Sequence, residues 1–420
     1  MFPITVEQLA HLIGASAHPS EPHEFRFPQL RDVGQYELDD ISLPQEVMSQ
    51  ELIVAGASID SRSITASSSG GPAFFALAGE KNHGIHFAAD ALRNGAACVV
   101  TDRPLPQHMA TAAIRRRGDQ IHAVTSSVQA LQTLGHWNRR QFEGLMIGVT
   151  GSVGKTTTRQ MIHAVLTQQF SGIQSPRNFN NELGVPLTLC ELNAGHDFCV
   201  LEMGAGRLGD IAALATIAEP ELGVVTRVAP AHLASMGTID GIQYTKQELI
   251  ESLPEHGHAF LNADDPRVRS MANVCRAQVT MFGTSSDSDV RAEHICFRNG
   301  MTHFTVDGVT FQLHGGAQLI TSALAAISIG RLTGVTMPQT ANAIAGFRPD
   351  AGRGHVVSTT PWTIIDDSYN ASPASVSACI QNLSDWSASA RRILVLGDML
   401  ELGQETEPLH AEIGRLIAQS

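Results

Sequence analysis

The stretch that most constrains the fold is residues 149–158, which read V-T-G-S-V-G-K-T-T-T. An apolar run at 145–149 precedes it, and an amphipathic pattern with helical spacing follows at 161–166. A strand, a glycine-containing loop and a helix in this order form a phosphate-binding loop, because successive backbone N–H groups and the helix N-terminus face the anion. The sequence therefore predicts an α/β domain that binds a nucleoside phosphate.

The residues of this loop suit a nucleotide. Gly151 and Gly154 let the backbone approach an anion, while Lys155 can reach the outer phosphates. The Thr156 hydroxyl can face Mg²⁺. The spacing departs from G-x-x-x-x-G-K-[ST], since Val149 occupies the first glycine position. The alternative interpretation is a glycine-rich turn with an exposed lysine. The residues predicted to contact the nucleotide are Thr150, Gly151, Ser152, Val153, Gly154, Lys155, Thr156 and Thr157.

Bulk properties exclude several classes of protein. A length of 420 residues suggests about three domains. A net charge of −13 disfavours nonspecific nucleic-acid binding. The N-terminus shows no signal peptide, and no run of about 18 apolar residues occurs. The six cysteines lack a C-x-x-C pair, which indicates buried reduced thiols. We therefore expect a soluble cytoplasmic enzyme without membrane insertion. Separately from these properties, we expect a monomer.

Residues 1–143 read as a small α/β domain. Residues 16–50 are rich in Pro, His and acidic side chains and show little periodicity, which indicates a surface insertion or a partly ordered loop. Ser61 and Arg62 can hold a phosphate or a uracil edge, although a simple polar turn is an equal alternative. The predicted elements are helices at 4–13 and 87–93 and strands at 74–77 and 98–101.

Residues 144–350 alternate apolar strands with helices, which predicts a parallel sheet flanked by helices. Glu202 ends one strand, at 198–203, and His232 follows the next, at 222–228. Ligands bind at the carboxyl edge of open α/β sheets, so both side chains are expected beside the phosphate loop. A carboxylate and an imidazole there suit Mg²⁺, directly or through water. Taken singly, each has a plainer interpretation, as a solvated glutamate or a packed histidine.

Two further polar residues stand out in this segment. Lys246 falls on a predicted helix, where composition alone favours a surface lysine. The stretch 259–265 reads as a strand that ends in Asn262, with Asp264 and Asp265 after it, and the Asn262 amide can read adenine through paired hydrogen bonds. Residues 290–313 change character, with N-G and D-G turns that predict antiparallel hairpins. The predicted strands there are 295–297, 304–306 and 309–313, and helices follow at 318–333 and 337–345.

Residues 351–420 read as the start of another α/β unit of the Rossmann kind. Arg353 lies in a glycine-flanked loop that resembles a hinge. Strands are predicted at 362–366 and 393–396, and a helix at 405–418. A parallel sheet of two strands has poorly covered edges, so we expect the chain to stop inside a domain, which appears truncated.

Several stretches together resemble the Mur ligases. They begin with the phosphate loop and end with D-D-S-Y-N-A at 366–371 and G-D-M-L-E-L-G at 397–403, and these last two are most similar to the members that add D-alanyl-D-alanine. The N-terminal D-S-R and F-F-A-L-A-G-E patterns fit the same family. The stretches between are N-F-N-N-E-L-G-V-P (178–186), L-E-M-G-A (201–205), A-H-L (231–233), T-K-Q-E (245–248) and N-A-D-D (262–265).

The resemblance implies a three-domain architecture and a reaction of peptidoglycan precursor synthesis. The implied domains are 1–143, which binds a UDP-sugar, 144–350, a central P-loop ATPase domain, and 351–420, the start of a Rossmann-like domain that closes over ATP. ATP and Mg²⁺ are the implied cofactors. The implied substrates are UDP-N-acetylmuramoyl-tripeptide and D-alanyl-D-alanine, joined through an acyl phosphate.

The resemblance also implies roles for single residues. Thr156 and Glu202 would hold one Mg²⁺, and His232 with a carbamylated Lys246 would hold the second. Carbamylation gives this lysine an oxygen donor that an amine lacks. Lys155 would neutralise phosphate charge. The remaining implied contacts are Asn180 and Asn181 near the reacting carboxylate, Asn262 near adenine, Arg353 and Asp367 at ATP, and Asn370, Asp398 and Glu401 toward the peptide substrates.

The sequence departs from the family in three places. G-A-Q-L-I-T-S at 316–322 lacks the His and both Asn of the usual G-x-H-N-x-x-N, and A-G-R-L at 205–208 replaces a more usual Asn-His pair. The third domain is expected to run past Ser420. The alternatives are another Mur ligase, a folylpolyglutamate-type ligase, or a nucleotide-binding protein that has lost catalysis.

Overall fold

The computed structural model divides the chain into two compact units. The described residues are 1–17, 52–65, 70–104, 120–231, 233–298, 300–386 and 391–420. The first unit consists of Met1–Phe142 with Pro186–Asn193, and the second of Glu143–Val185 with Ala194–Ser420. The predicted insertion at 16–50 lies almost wholly outside the described residues.

The helices of both units are short to medium in length. In chain order they are α1 (Val6–Leu12), α2 (Ala88–Asn94), α3 (Ser127–Arg140), α4 (Lys155–Leu166), α5 (Gly184–Leu189), α6 (Asp210–Ala218), α7 (Leu233–Met236), α8 (Ile239–Glu251), α9 (Pro266–Ser270), α10 (Ile320–Leu332), α11 (Met337–Gly346), α12 (Pro373–Asp385) and α13 (Thr406–Gln419). Short 3₁₀ turns cover Ser61–Ser63, Gly84–Phe87, Met271–Val274, Ala317–Leu319 and Gly403–Glu405.

The first unit contains a six-stranded sheet with the order β1-β3-β4-β5-β6-β2. Its four inner strands are parallel, and the two edge strands pair antiparallel. The apolar runs predicted as strands at 74–77 and 98–101 are inner strands, and the predicted helix at 87–93 forms as α2. The helix predicted at 4–13 forms over Val6–Leu12 as α1, whereas residues 4–5 pair as strand β1. The strands are β1 (Ile4–Thr5), β2 (Ser16–Ala17), β3 (Ile53–Ser58), β4 (Gly71–Ala76), β5 (Cys98–Thr101) and β6 (Ile121–Ala123).

The second unit is built on a seven-stranded sheet with the order β13-β12-β11-β10-β7-β9-β8. Every pairing in it is parallel, which confirms the sheet predicted for residues 144–350. The strands are β7 (Leu145–Thr150), β8 (Gly172–Gln174), β9 (Phe198–Glu202), β10 (Leu222–Val225), β11 (His258–Asn262), β12 (Gln278–Gly283) and β13 (Val290–Arg291).

Helices cover both faces of this sheet. Along β10, Leu222 and Val224 pack into one apolar cluster, whereas Val225 packs into a second cluster on the opposite face. The first cluster includes α4 and α10, and the second includes α8. Strands buried on both faces read as continuous apolar runs, which is why the sequence showed runs rather than alternation here.

A small antiparallel sheet follows β13, as the hairpin turns predicted. It consists of β14 (Glu293–Arg298), β15 (Met301–Val306) and β16 (Val309–His314). Asp307 and Gly308 between the last two strands have φ values of 48° and 77°. Two consecutive left-handed residues match the twist of a two-residue hairpin, and Asp-Gly tolerates that backbone. The other predicted turn contains Asn299, which lies outside the described residues.

The structure of residues 351–420 contradicts one prediction. Its strands are β17 (His355–Thr359) and β18 (Trp362–Asp366), which pair antiparallel, and α13 confirms the predicted final helix. The predicted strand at 393–396 does not form in the described structure, and Val395 there is 88% exposed. A β-strand needs a hydrogen-bonded neighbour, and this apolar run pairs with none of the described strands. The apolar pattern at 393–396 is therefore not sufficient to predict a strand.

Two predictions from bulk properties can be compared with the structure. In the part of the chain that the structure describes, none of the helices combines the length and apolar character that crossing a membrane requires. None of the six cysteines, all of which the structure describes, forms a disulfide. Cys98, Cys190 and Cys199 are buried, whereas the other three are half-buried. The prediction of buried thiols therefore holds for half of them.

Candidate active site

The loop between β7 and α4 is fixed by the strand beside it. Gly151 has a φ of +147°, and a Cβ added to it would lie 2.0 Å from the Thr226 hydroxyl oxygen, just beyond β10. That hydroxyl donates to the Val153 carbonyl over 2.6 Å. The Ser152 hydroxyl donates to the Ala229 carbonyl over 2.8 Å. Glycine is therefore required here by packing as well as by backbone conformation.

The N-terminus of α4 presents unpaired backbone N–H groups to the carboxyl edge of the sheet. Gly154, at the N-cap with a φ of 85°, lets the chain turn into the helix, and no side chain in the described structure caps it. The Lys155 Nζ lies close by and donates to the carbonyls of Gly151 and Ser152 over 2.9 and 3.4 Å. Burial lowers the pKa of this ammonium, Glu202 opposes that shift, and Arg353 adds to it.

Glu202 is held beside the start of α4 by strand register. It pairs with Val149, so its side chain stands level with the end of β7. Its Oε2 accepts the Thr156 hydroxyl over 2.7 Å, and its Oε1 accepts the Asn180 amide over 2.9 Å. Glu202 is 2% exposed, so a buried carboxylate and a hydroxyl face each other at the phosphate loop.

Lys246 is buried, contrary to the surface position that composition favoured. It is 3% exposed and lies on the face of α8 that also buries Ile242 and Leu249. The pKa of its ammonium is lowered to about 7. Burial is the largest cause, the charge of Lys155 adds to the shift, and Glu248 and Asp210 oppose it. A large part of this amine is therefore uncharged near neutral pH.

The other predicted residues of the central segment take structural partners. Asn181 accepts the backbone N–H groups of Leu183 and Gly184 over 3.3 and 3.0 Å and so caps the start of α5. Asn262 donates to the Thr226 carbonyl over 2.7 Å and accepts the Asp264 N–H over 3.0 Å. Both asparagines retain hydrogen-bonding capacity beyond these bonds, since an amide has two donors and two lone pairs.

Arg353 stands at the start of the last segment, within electrostatic reach of the phosphate loop. Its guanidinium stacks on the Tyr369 ring, 3.9 Å from the centroid, and its charge lowers the pKa of Lys155. Burial raises the pKa of the neighbouring Asp367 carboxyl, Arg353 opposes that shift, and Asp366 adds to it. The loop is closed by a bond from the Tyr369 N–H to the Gly352 carbonyl over 3.0 Å.

None of the described contacts brings the remaining predicted residues to the phosphate loop. Asn370, Asp398 and Glu401 are exposed, and Glu401 accepts the Ala234 N–H at its backbone carbonyl over 3.1 Å. His232 lies outside the described residues. Ser61 and Arg62 belong to the first unit, where the Arg62 guanidinium makes two hydrogen bonds to the carboxylate of Asp60.

Sequence reasoning missed several residues that shape the site. Thr226 and Asp265 organise the loops after β10 and β11, and Asp265 accepts the Val228 N–H over 2.8 Å. Arg159, one turn into α4, is 2% exposed beside Glu202. A signal for Arg159 was present, because it falls on the same apolar helical stripe as Ile162. A charge at a buried helix position indicates a specific partner.

The arrangement suits a magnesium nucleotide. The N-terminus of a twelve-residue helix, an ammonium group and open space around Gly154, where an added Cβ meets nothing closer than 3.8 Å, fit a polyphosphate. A hydroxyl and a carboxylate are the hard oxygen donors that Mg²⁺ prefers. Among the described residues, which exclude His232, no group of three or more His, Cys, Asp or Glu is placed to bind a metal. Two hard oxygen donors, Thr156 and Glu202, lie together at the phosphate loop.

Three family models match the chain in succession. They are the Mur ligase family catalytic domain over residues 54–137, the Mur ligase middle domain over 149–329, and the Mur ligase glutamate ligase domain over 352–420.

Individual relatives and solved structures agree with those matches. UDP-N-acetylmuramoyl-tripeptide--D-alanyl-D-alanine ligase of Bacillus subtilis is 33% identical over 373 residues, which cover 88% of this chain and 79% of the relative. The Escherichia coli ligase of the same name is 31% identical over 386 residues, covering 90% and 82%. MurF from Acinetobacter baumannii superposes with a TM-score of 0.81 at 26% identity, covering 100% of this chain and 84% of that one. MurF ligase from Thermotoga maritima, in complex with ADP, gives 0.76 at 30% identity, covering 87% and 82%.

Proposed function

This chain belongs to the Mur ligase family, and we infer from its relatives and its site that it joins D-alanyl-D-alanine to UDP-N-acetylmuramoyl-tripeptide with consumption of ATP. The single observation that carries this conclusion is the grouping of Lys155, Thr156 and Glu202 at one sheet edge, within a chain that resembles such ligases over most of its length. Phosphoryl transfer needs positioning and charge neutralisation, and this grouping supplies both.

We propose that Mg²⁺ binds through Thr156 and Glu202. Their bond of 2.7 Å brings two oxygen donors together at the N-terminus of α4. Bound Mg²⁺ would neutralise phosphate charge there. Asn180 donates to Oε1 of Glu202 and so orients this carboxylate. Asn180 would therefore act near the reacting centre through Glu202. Lys155 lies one residue before Thr156 and contributes a further positive charge toward the outer phosphates.

A second Mg²⁺ is proposed to bind through a carbamylated Lys246 together with His232. The lowered pKa of Lys246 leaves a large part of this amine uncharged at neutral pH, and only the uncharged form attacks CO₂. The product carries two carboxylate-like oxygens, which suit Mg²⁺, whereas the parent ammonium repels it. A metal-binding carbamate would explain why α8 buries Lys246.

The remaining predicted residues are proposed as substrate contacts. Asn181 would face the reacting carboxylate and Asn262 the adenine. Arg353 and Asp367 would contact ATP from the last segment, with Arg353 pre-oriented by the Tyr369 ring. Ser61 and Arg62 would bind the UDP-sugar within residues 1–143, and residues 144–350 would bind ATP. Residues 351–420 would belong to the domain that closes over ATP. Asn370, Asp398 and Glu401 would contact the peptide substrates.

The proposed reaction proceeds in two displacements. The terminal carboxylate of the tripeptide attacks the γ-phosphorus of ATP, the bond to the bridging oxygen breaks, and ADP departs with its electron pair. The dipeptide amine then attacks the acyl phosphate carbon to give a tetrahedral intermediate. Collapse of this intermediate expels phosphate and the nitrogen loses a proton, which leaves an amide. We place this chemistry in the cytoplasm, where ATP and nucleotide-linked precursors are available.

A coupled phosphate-release assay tests the proposed function. Release should require ATP, UDP-N-acetylmuramoyl-tripeptide and D-alanyl-D-alanine together, and the product should contain the pentapeptide by mass spectrometry. L-glutamate, L-alanyl-L-alanine and D-alanine alone serve as control acceptors. Turnover with L-glutamate and a folate in place of the UDP-tripeptide would indicate a folylpolyglutamate-type ligase. Release without an acceptor would indicate a plain ATPase, and no release with ATP still bound would indicate a binding protein.

A further inference from the structure

Arg159 is a buried cation to which the proposed mechanism gives no role. It lies in the first turns of α4, three residues after Thr156, and is 2% exposed. A guanidinium removed from water is costly unless it faces an opposite charge or hydrogen-bond acceptors. Neighbouring groups must therefore compensate this charge for α4 to carry arginine rather than an apolar residue at this position.

The partners of Arg159 compensate its charge only in part. Its Nε lies 3.7 Å from Oε2 of Glu202, which is within ion-pair range but too long for a hydrogen bond. Its Nη2 donates weakly to the Arg177 carbonyl over 3.4 Å. The Nε has no hydrogen-bond partner in the described structure, although it is buried. Arg159 thus faces Glu202 by charge rather than by the paired hydrogen bonds that arginine usually makes to a carboxylate.

This long contact leaves Glu202 available to a metal ion. A carboxylate offers about four lone-pair directions, and Thr156 and Asn180 occupy one each. A paired arginine fork would occupy both oxygens and compete directly with a cation. Arg159 instead balances the charge of Glu202 without taking its remaining acceptor positions. Two other cations lie nearby. Lys155 directs its Nζ to the carbonyls of Gly151 and Ser152. Arg353 stacks on the Tyr369 ring.

We propose that Arg159 is a positioning residue that acts as the resident cation of the Mg²⁺ site: it balances Glu202 when no metal is bound and keeps the affinity for Mg²⁺ alone low. The inference rests on the proposed function, because it takes Glu202 as a Mg²⁺ ligand. A fixed positive charge beside the ligand repels Mg²⁺, while the negative charge of ATP offsets that repulsion. Mg²⁺ therefore binds well only together with nucleotide.

The test measures thermal unfolding and Mg²⁺ binding without turnover. Arg159→Met should lower the melting temperature in metal-free buffer, and Mg²⁺ alone should restore much more of it than in the wild type. The Mg²⁺ concentration for half-maximal stabilisation should fall by at least about tenfold, because one repulsive charge is removed from the site. Arg159→Lys keeps the charge and should retain the wild-type response.

Arg139→Met is the matched control for loss of a buried arginine. Arg139 is 6% exposed in the first unit and donates to the Phe142 carbonyl over 3.0 Å. Its substitution should lower the melting temperature equally with and without Mg²⁺. The same equal loss in Arg159→Met would show a purely structural role and would overturn the proposal, as would an Arg159→Lys protein that behaves like Arg159→Met.

A double variant covers the case in which Arg159→Met does not fold in metal-free buffer. Arg159→Met combined with Glu202→Gln removes both charges and should regain folding without responding to Mg²⁺. A double variant that is as unstable as the single one would overturn the proposal. If the wild type ligates its substrates but Arg159→Met responds to Mg²⁺ as the wild type does, only this inference fails. A wild type that does not ligate at all contradicts the proposed function instead.

Discussion

The Thr156 hydroxyl donates to Oε2 of Glu202 over 2.7 Å, although 46 residues separate them in the chain. Parallel pairing of β7 with β9 sets this distance, because Val149 and Glu202 are partners in register and α4 begins just beyond β7. The contact is therefore a consequence of sheet register, and any change that shifts β9 by one residue would remove Glu202 from the site.

Glu202→Gln tests the proposed metal ligand. The amide keeps the size of the side chain but replaces one oxygen donor and removes the charge, so we expect phosphate release to fall on the order of 10²–10³-fold. The matched control is Glu221→Gln. Glu221 directly precedes β10 at the opposite edge of the sheet, where its carboxylate accepts the Met146 N–H over 2.8 Å. Equal losses in both variants would indicate general destabilisation and would contradict the assignment of Glu202.

Lys246 is expected to carry CO₂, and the chain makes this easy to observe because it contains three lysines, Lys81, Lys155 and Lys246. Incubation with ¹³C-labelled bicarbonate should give one carbamate resonance, which weakens as the pH falls below the pKa of about 7. Lys246→Ala should lose the resonance and most activity.

Short-chain carboxylic acids provide the complementary measurement for the carbamate. They can place an oxygen donor in the space that Lys246→Ala leaves, so they should restore part of the activity of that variant. They should do nothing for Lys155→Ala, whose lost function is a positive charge. An unchanged resonance in Lys246→Ala, or full activity of that variant without added acid, would remove the carbamate assignment.

The phosphate loop and the parallel sheet were predictable because they depend on local patterns. Glycines flanked by an apolar run and a helical stripe define the loop, and continuous apolar runs define strands such as β9 and β10. Composition alone misplaced Lys246, yet helical spacing from Ile242 and Leu249 would have put it on the buried face of α8. Arg159 carries the same signal on α4.

What could not be predicted depends on partners distant in sequence. The apolar run at 393–396 has a strand pattern but no described strand to pair with, so pattern and outcome differ. Asn262 was expected to read adenine, and nothing in its local sequence indicated that the Thr226 carbonyl would take one of its amide hydrogens. Thr226 itself became visible only when β10 and β7 were placed side by side.

Lys246 also predicts a pH dependence of stability. Its pKa falls from an ordinary value of 10.5 to about 7 on folding, so between these values the unfolded chain binds a proton that the native protein does not. The free energy of unfolding contributed by this group therefore rises with pH across that window, and its destabilisation is largest below pH 7. The upper bound on the destabilisation by Lys246 is about 5 kcal/mol.

The measurement compares urea midpoints of wild type and Lys246→Met in CO₂-free buffer between about pH 6.5 and about pH 9.5. The variant should be relatively more stable at the lower pH, and its advantage should shrink as the pH rises. Lys81→Met, at an exposed position, should show no pH-dependent difference from the wild type. A gap that is constant with pH for Lys246→Met would mean that the lysine ionises normally.

The two loop glycines should respond differently to alanine. Gly151→Ala introduces a Cβ 2.0 Å from the Thr226 hydroxyl oxygen at a φ of +147°, so we expect a destabilisation of roughly 3 kcal/mol or more. Gly154→Ala places its Cβ at ordinary contact distance, 3.8 Å from the nearest atom, and bears only the backbone strain, about 1–2 kcal/mol. Combining Gly151→Ala with Thr226→Ala should recover part of the loss. Equal urea midpoints for the two single variants would contradict the steric argument.

The Tyr369 ring is expected to set the affinity for ATP through Arg353. Tyr369→Leu removes the ring face that the guanidinium covers at 3.9 Å, and a partly exposed cation–π contact contributes about 0.5–1 kcal/mol, so the KM for ATP should rise roughly 2–5-fold. Tyr369→Phe keeps the ring face and should leave the KM unchanged, which separates stacking from any role of the phenol hydroxyl. Because Arg353 would act in binding the nucleotide rather than in bond making, kcat at saturating ATP should change little. A fall in kcat with an unchanged KM would mean that this stack serves the chemical step or the closing of the last segment instead.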